Sequence, residues 1–456
     1  MRRKQGWILP GKSIYQGFTK LYEMKKILYL SILISLFSCK DNRDQFYMPA
    51  EWEPQDAVWF GWEKTETFFY PVVAEIISTL MPHVKVNIAV GSDSLLRKAK
   101  LYLAARGIDT LKVGFYLMPG DRYWIRDHGA SFLLNGKGEL GAVQFGWNLY
   151  GHPQYLKEIY GDNKDSIALY TARDIDTNTG NVSSLMAAVT GAKLFKCNVF
   201  HEGGGMEVNG RGTLILCEAT EIQRNPGMTK AELEGGYRKV LGVTKIIWMK
   251  QGLADDPEWI LRRICGNYIG VGIGGHTDEF VRFSGPSTIL LAWVDEKEKD
   301  LNPLNRMNYK RLSENLEILQ KSTDQDGRPF TIIRIPLPDI VPLKVVAKKN
   351  LSQPIAIPPT EVPVSEFVPS EAPNDGDTLL WVPAATYLNY LVTNGLVLLP
   401  TYTSAGTSKE KEEAVRKIFS EQFPGREIRF FNMMYQNYSG GGIHCSTQQQ
   451  PSHSKH

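Results

Sequence analysis

Apolar residues in this chain come in short runs separated by polar, turn-forming stretches, and the period of the runs switches repeatedly between strand-like and helix-like. Residues 57–62 (Ala-Val-Trp-Phe-Gly-Trp) form one such run, which predicts a strand. Residues 71–81 predict a helix, 84–90 a strand and 92–106 a second helix, with another strand ahead of Asp121. Further strands are expected at 131–134, 141–145, 212–217, 244–248, 288–293, 331–335, 391–399 and 428–431. Helices fit 182–190, 229–241, 308–321 and 409–422. Strands alternating with helices place the chain in the α/β class, although the strands are short and some neighbours look antiparallel. The pattern therefore does not single out a doubly wound sheet.

Two stretches interrupt this rhythm. Residues 253–271 are irregular, and residues 336–375 carry nine prolines, which excludes a long central strand or helix there. Chemistry-bearing motifs lie on both sides of the proline-rich stretch, so it reads as a surface excursion within one domain.

Composition sharpens the picture at the amino terminus. The chain has 456 residues and a formal charge of +3, but residues 1–38 hold seven basic residues and one acidic one. The remainder carries 45 basic against 48 acidic residues, about −3, which gives no electrostatic reason to expect nucleic acid. From Met24 the chain reads Met-Lys-Lys, then a mostly apolar run to Phe37, then Ser38-Cys39, the layout of an export signal. The run is too short to span a bilayer. Leu36-Phe37-Ser38-Cys39 resembles a bacterial lipobox, which implies lipid modification of Cys39 and an exported lipoprotein held at a periplasmic or cell-surface membrane face by that anchor. Residues 1–38 are thus an upstream extension plus signal (24–38), and 39–47 a polar tether. A single catalytic domain at 48–451 and a tail at 452–456 complete the division. Cys197, Cys217 and Cys265 have no CxxC spacing and read as small buried hydrophobes.

Four polar clusters beside glycines remain. They are Asp121 to Gly129 around Arg126-Asp127, His201 to Val208 around Glu202-Gly203-Gly204, Gly272 to Phe280 around His276-Thr277-Asp278-Glu279, and Ser439 to Pro451 around Cys445. A thiol after a glycine run suits a reactive cysteine, because glycines let backbone N–H groups and a substrate approach the sulfur. A nucleophilic cysteine also needs a base from elsewhere, and His276 is a candidate. Each cluster alone also has an ordinary reading: a local Arg126–Asp127 ion pair, a turn capped by Glu202, a satisfied His276, a buried Cys445. If residues 276–278 are extended, His276 and Asp278 share a face. A zinc site of His276, Asp278, His444 and Cys445 finds no support in any zinc-binding spacing, and no metal is expected. Asp127, Glu202 and His276 recur at nearly equal intervals, as a repeated unit delivering one polar residue each to a common centre would require.

Together with Met48-Pro49-Ala50-Glu51-Trp52-Glu53-Pro54, Arg224-Asn225-Pro226-Gly227 and Tyr387-Leu388-Asn389-Tyr390, these segments resemble the agmatine deiminase and bacterial-type peptidylarginine deiminase family. The resemblance runs in consistent order over roughly 48–451. It implies a five-bladed α/β propeller (pentein) of ββαβ units around a central funnel. It also implies that Cys445 is the nucleophile, His276 the general acid/base, Asp127 and Asp278 the guanidinium ligands, Glu202 the partner of His276, and Asn389 a substrate-side residue. No cofactor is implied.

The implied reaction is hydrolytic deimination: agmatine to N-carbamoylputrescine and ammonia through a Cys445 thiouronium. Deimination of peptidyl-arginine or free arginine is the alternative. The stretch 144–150 has no arginine to hold a carboxylate, while Trp147 and Tyr150 suit an aliphatic amine chain, which leans towards a small cationic, agmatine-like guanidine. The two irregular stretches cut the other way, since either could remodel the funnel mouth for arginyl peptides or another guanidine. An amidinotransferase would share the thiouronium, and an inactive surface-binding propeller is the non-enzyme reading. A papain-like protease is disfavoured by the order of Cys and His.

Overall fold

A computed structural model describes residues 42–63, 67–176, 178–258, 261–351 and 359–453. The signal-like segment and Cys39 lie outside them. The described residues from Phe46 onward form one compact unit.

The body is a ring of five small sheets that share one plan. In the first, β1 (Gln55–Trp62) runs parallel to β2 (Lys85–Val90), which runs parallel to β3 (Val113–Leu117). The crossover helix Tyr70–Leu80 carries Pro71 in its first turn, where the missing N–H costs nothing. Its Val73, Ile76, Ile77 and Leu80 are spaced to bury one face against the sheet, each contributing about 1.5–3 kcal/mol relative to exposure. The second sheet joins β4 (Ser131–Leu134), β5 (Leu140–Gly146) and β6 (Lys193–Phe200). The third joins β7 (Met206–Val208), β8 (Thr213–Cys217) and β9 (Lys245–Met249). In each, the first two strands pair antiparallel and a helical crossover returns the third in parallel.

Next come the short strands β10 (Arg262–Cys265) and β11 (Tyr268–Gly270). The fourth blade follows with β12 (Val281–Gly285), β13 (Thr288–Trp293) and β14 (Thr331–Pro336). After β15 (Leu343–Lys348), β16 (Glu361–Pro363) and β17 (Thr378–Trp381), the fifth blade is β18 (Leu391–Thr393), β19 (Leu396–Pro400) and β20 (Glu427–Phe431). Finally β21 (Thr447–Pro451) returns to pair antiparallel with β1, completing the first blade from the far end of the chain. The clasp is specific: the Trp59 indole donates to Gln450 Oε1 at 3.0 Å. The fold is thus the five-bladed α/β propeller, with ββαβ units.

Four readings change. The irregular stretch 253–271 and the proline-rich excursion are not independent: β10 and β11 of the first and β15 and β16 of the second meet on either side of β17, just beyond the prolines, in one further sheet of order β10-β11-β17-β15-β16. Strands this short, drawn from segments far apart, leave no periodic signal of their own. Residues 391–399 are not one strand but a hairpin, turned at Asn394-Gly395 with Gly395 at φ 70°. That dipeptide is a strong hairpin signal in its own right. Phe46 and Tyr47, assigned to the tether, belong to the body: Phe46 is buried against Phe195, and Tyr47 exchanges backbone hydrogen bonds with Leu134. Lastly, His276 and Asp278 do not lie on a strand. His276 caps the one-turn helix Thr277–Phe280, because Gly274 and Gly275, at φ 88° and 91°, turn the chain sharply just before it.

Candidate active site

One polar residue from each blade reaches the centre, and each sits just ahead of the first strand of its antiparallel pair. Asp127 lies in the one-turn helix Ile125–His128 before β4, and Glu202 before β7. His276 precedes β12, Asn389 β18 and Cys445 β21. The near-equal intervals in the sequence therefore reflect the blade repeat. All five are buried, as is Asp278, at 5% exposure or less.

His276 is built into a charge chain. Its Nε2 lies 3.1 Å from Glu202 Oε2, and Arg224 Nε donates to the same carboxylate at 2.9 and 3.0 Å. Burial alone would raise Glu202, but Arg224 and His276 overcome it and hold the carboxyl down at about 2. Burial likewise opposes the imidazolium of His276. The Glu202 hydrogen bond and the charges of Asp127, Glu202 and Asp278 outweigh burial and raise the ring to about 9. Its backbone is fixed from behind by Asp256, which accepts from the N–H groups of Ile273 (2.6 Å), Gly275 (2.8 Å) and His276 (3.2 Å). Nδ1 is buried with no hydrogen-bond partner among the described residues and lies 3.7 Å from Asp127 Oδ1. A protonated donor thus faces the centre.

The two aspartates flank that donor. Asp127 Oδ1 accepts from the Gly204 N–H at 3.2 Å, and Oδ2 accepts from the Tyr150 hydroxyl at 3.0 Å. Asp278 Oδ2 faces His444 Nδ1 at 2.7 Å, while its Oδ1 is buried without a partner among the described residues. Burial would raise Asp278, but the hydrogen bond and charge of His444, with His276 and Arg282, keep it below its ordinary value. Gly204 is the floor of the site. A Cβ there would sit 2.9 Å from His276 Nδ1, 3.0 Å from Asp127 Oδ1 and 3.0 Å from Asp278 Oδ2, so only glycine leaves room.

Cys445 lies beside this pocket. Its Sγ is 2.9 Å from Asn389 Nδ2, 3.4 Å from Asp278 Oδ2 and 3.8 Å from Glu279 Oε1. Burial, then the charges of Asp278, Glu279 and Asp127, push the thiol well above its ordinary value. The resting residue is therefore a thiol. Asp278, Glu279 and Cys445 have the proximity of a metal-ligand group. The Asn389 amide already sits among them, however, donating to Glu279 Oε1 at 2.8 Å as well as to the sulfur. Its own oxygen accepts the His444 N–H at 2.9 Å, which fixes the amide's orientation.

Trp147 lies at the edge of the site, 5.2 Å ring to ring from Tyr150, in the apolar group that packs against Cys445. Arg126 does not pair with its neighbour Asp127; it binds Glu51 Oε1 at 3.0 Å and also Gln449. Sequence reading overlooked Glu51 as a site component. It contacts His444 Nε2 at 2.8 Å and also binds Arg282, so His444 bridges two carboxylates through both ring nitrogens. Arg224, Glu279 and Asp256 likewise gained no site role from the sequence, although Arg224 and Glu279 fall inside motifs that it displays.

A buried thiol, a carboxylate-backed imidazole and two carboxylates thus converge above Gly204 at the centre of a five-bladed α/β propeller, the layout of an enzyme's active site. Residues 47–451 match the Porphyromonas-type peptidyl-arginine deiminase family, and the chain belongs to it. It is 28% identical over 424 residues to an agmatine deiminase of Pseudomonas syringae pv. tomato, covering 90% of this chain and 96% of the relative. Among solved structures, it is similar to an agmatine deiminase of Enterococcus faecalis, with a TM-score of 0.67 and 22% identity over 91% of this chain and 98% of that one. It is also similar to a putative arginine deiminase of Porphyromonas gingivalis, with a TM-score of 0.62 and 19% identity over 90% and 99% of the two chains.

Proposed function

We propose that this protein deiminates agmatine or a closely similar small guanidine, giving N-carbamoylputrescine and ammonia from agmatine. The observation that carries the reading is the convergence of Asp127, Asp278 and His276 on the space above Gly204, beside Cys445. Two carboxylates orient a planar guanidinium and hold its charge. That charge offsets the carboxylates that keep Cys445 protonated, so substrate binding favours loss of the thiol proton to solvent and leaves the thiolate. The sulfur adds to the guanidine carbon, His276 protonates one departing nitrogen, and ammonia leaves a thiouronium on Cys445. Water, deprotonated by the now neutral His276, adds to the same carbon; the C–S bond breaks and the ureido product departs. The residues named here carry every step.

The lining supports a substrate without a carboxylate. The three arginines buried beside the site are committed, Arg126 to Glu51 and Gln449, Arg224 to Glu202 and the Ile273 carbonyl, and Arg282 to Glu51 and Glu207. Deimination of arginyl peptides is the second reading, favoured by the additional sheet of β10, β11, β15, β16 and β17. An assay for ureido product on agmatine, arginine and a peptide ending in arginine, with Cys445→Ser as control, separates them. Product from agmatine that the variant lacks is expected; product from arginine substrates alone would overturn the small-guanidine assignment. Thiouronium transfer to an amine, rather than to water, would register as product only when an acceptor amine is added. Guanidine binding without product would indicate a non-catalytic binding protein.

We further propose export and membrane anchoring through an acylated Cys39, a reading that rests on the sequence from Met24 to Cys39. Mass spectrometry of membrane-extracted protein should find a lipidated amino-terminal cysteine. An unmodified amino terminus elsewhere would rule the anchor out.

A further inference from the structure

Among the described residues, only two other than glycine have positive φ: Leu149 at 53° and Tyr150 at 56°. They are adjacent, and Gly151 follows at 74°, so three successive residues are left-handed. That conformation is costly for a leucine and a tyrosine and persists only where surrounding contacts impose it. Here the contacts are explicit. The Asn148 side chain donates to the Arg224 carbonyl at 3.0 Å and accepts the Gly151 N–H at 3.0 Å, and Gln223 donates to the Gly151 carbonyl at 3.3 Å. The run ends in the Tyr150 hydroxyl bonded to Asp127 Oδ2.

The segment also roofs the nucleophile. Leu149, Tyr150 and Ile273 form an apolar group with Cys445, and the Tyr150 ring lies 6.3 Å from that of His276. Tyr150 is 6% exposed and Cys445 1%, so in this state nothing reaches the sulfur from solvent. Asp127 meanwhile spends one oxygen on Gly204 and His276 and the other on Tyr150. A guanidinium entering the site needs that second oxygen.

We propose that Tyr150 is a specificity-determining gate: its hydroxyl is an internal substitute for a substrate N–H on Asp127, and guanidine entry displaces it together with the strained segment. This rests on the reading of the site as a guanidine site. A slim alkyl guanidine lets the apolar roof return over Cys445, whereas a guanidine on a bulky peptide holds the roof away. The gate thus selects for small substrates by the cost of leaving the sulfur uncovered.

The test is agmatine kinetics on the wild type and Tyr150→Phe, with agmatine binding measured in a Cys445→Ser background with and without Tyr150→Phe. Removing one competing hydrogen bond should lower both KM and Kd by about 3- to 10-fold, with kcat within about twofold. A KM that rises would show that the hydroxyl holds the substrate itself, and an unchanged Kd that it is never displaced; either overturns the gate. A second arm needs no substrate. Tyr150→Gly relaxes the backbone and removes the roof, so iodoacetamide labelling of Cys445, read by peptide mapping, should quicken about tenfold or more. An unchanged labelling rate also overturns the gate. Absence of wild-type agmatine turnover would instead count against the proposed function, and the labelling arm would still decide the gate.

Discussion

Glu202→Gln isolates the charge that makes His276 an acid. The substitution keeps the shape of the side chain and an oxygen for Arg224, while removing the anion 3.1 Å from His276 Nε2. In the native protein the ring titrates at about 9, against an ordinary value of 6.5. That difference corresponds to roughly 3 kcal/mol of preference for the imidazolium in this fully buried site. Asp127 and Asp278 still act in the variant, so the expected fall is about one to two units, or roughly 1–3 kcal/mol. Because the folded value is raised, the associated stability is complete below pH 6.5 and is lost as pH rises through about 9. Glu202 carries the same interaction from the other side. Its folded value of about 2 lies below the ordinary 4.5, so its contribution holds above 4.5 and is lost as pH falls through 2. The assay is kcat/KM for agmatine from pH 6 to 10, with thermal unfolding at the same pH values. The alkaline limb should move down by about one to two units in the variant, and the wild type's loss of Tm between pH 7 and 9.5 should shrink. An alkaline limb that does not move would refute the assignment of His276 as the acid held by Glu202.

Other consequences are more local. Gly204→Ala places a methyl within about 3 Å of His276, Asp127 and Asp278, and should lower kcat/KM by about 100-fold or more while Tm changes little. Full activity in that variant would mean that the substrate lies elsewhere. Glu51→Gln removes one of the two anions bridged by His444 and should raise the apparent pKa of the acid limb of kcat/KM, because Asp278 loses support for its ionised form. A large fall in kcat with an unshifted limb would indicate a purely structural role. Truncation after Ser446 deletes β21 and should abolish cooperative unfolding, since the first blade then loses its antiparallel partner. A truncated chain with a normal melting transition would contradict the closure of the ring.

Much of the fold could be read locally. The strands at Ser131–Leu134 and Thr288–Trp293 and the helices Val182–Thr190 and Lys409–Gln422 fall where the apolar period places them, because each is a single continuous segment with its apolar positions, such as Val415 and Phe419, turned to the core. The strand β21 was hidden because its Thr-Gln-Gln-Gln-Pro composition is polar. These residues are buried through pairing with β1 and through side-chain hydrogen bonds, so hydropathy carries no sign of them. The additional sheet was hidden because its strands come from separate segments whose prolines mark the edges and not the pairing. In the site, glycine neighbours drew attention to Cys445, Glu202, His276 and Asp127, and the structure brings these together. Glu51 and His444 meet across 393 residues of sequence, and Asn389 reaches Cys445 across 56. No local pattern encodes such contacts; only the ring closure creates them. Tyr150 was noticed as an aromatic wall for an aliphatic chain, but its bond to Asp127 depends on a left-handed backbone that propensity does not predict for tyrosine.

The most direct test is acid quenching of the reaction with agmatine during turnover, followed by mass spectrometry of the peptide that contains Cys445. An amidino adduct on that cysteine, formed and consumed as ureido product accumulates and absent from Cys445→Ser, is the predicted result. Ureido product released at every quench time with Cys445 never modified, or undiminished in Cys445→Ser, would contradict covalent catalysis at this residue.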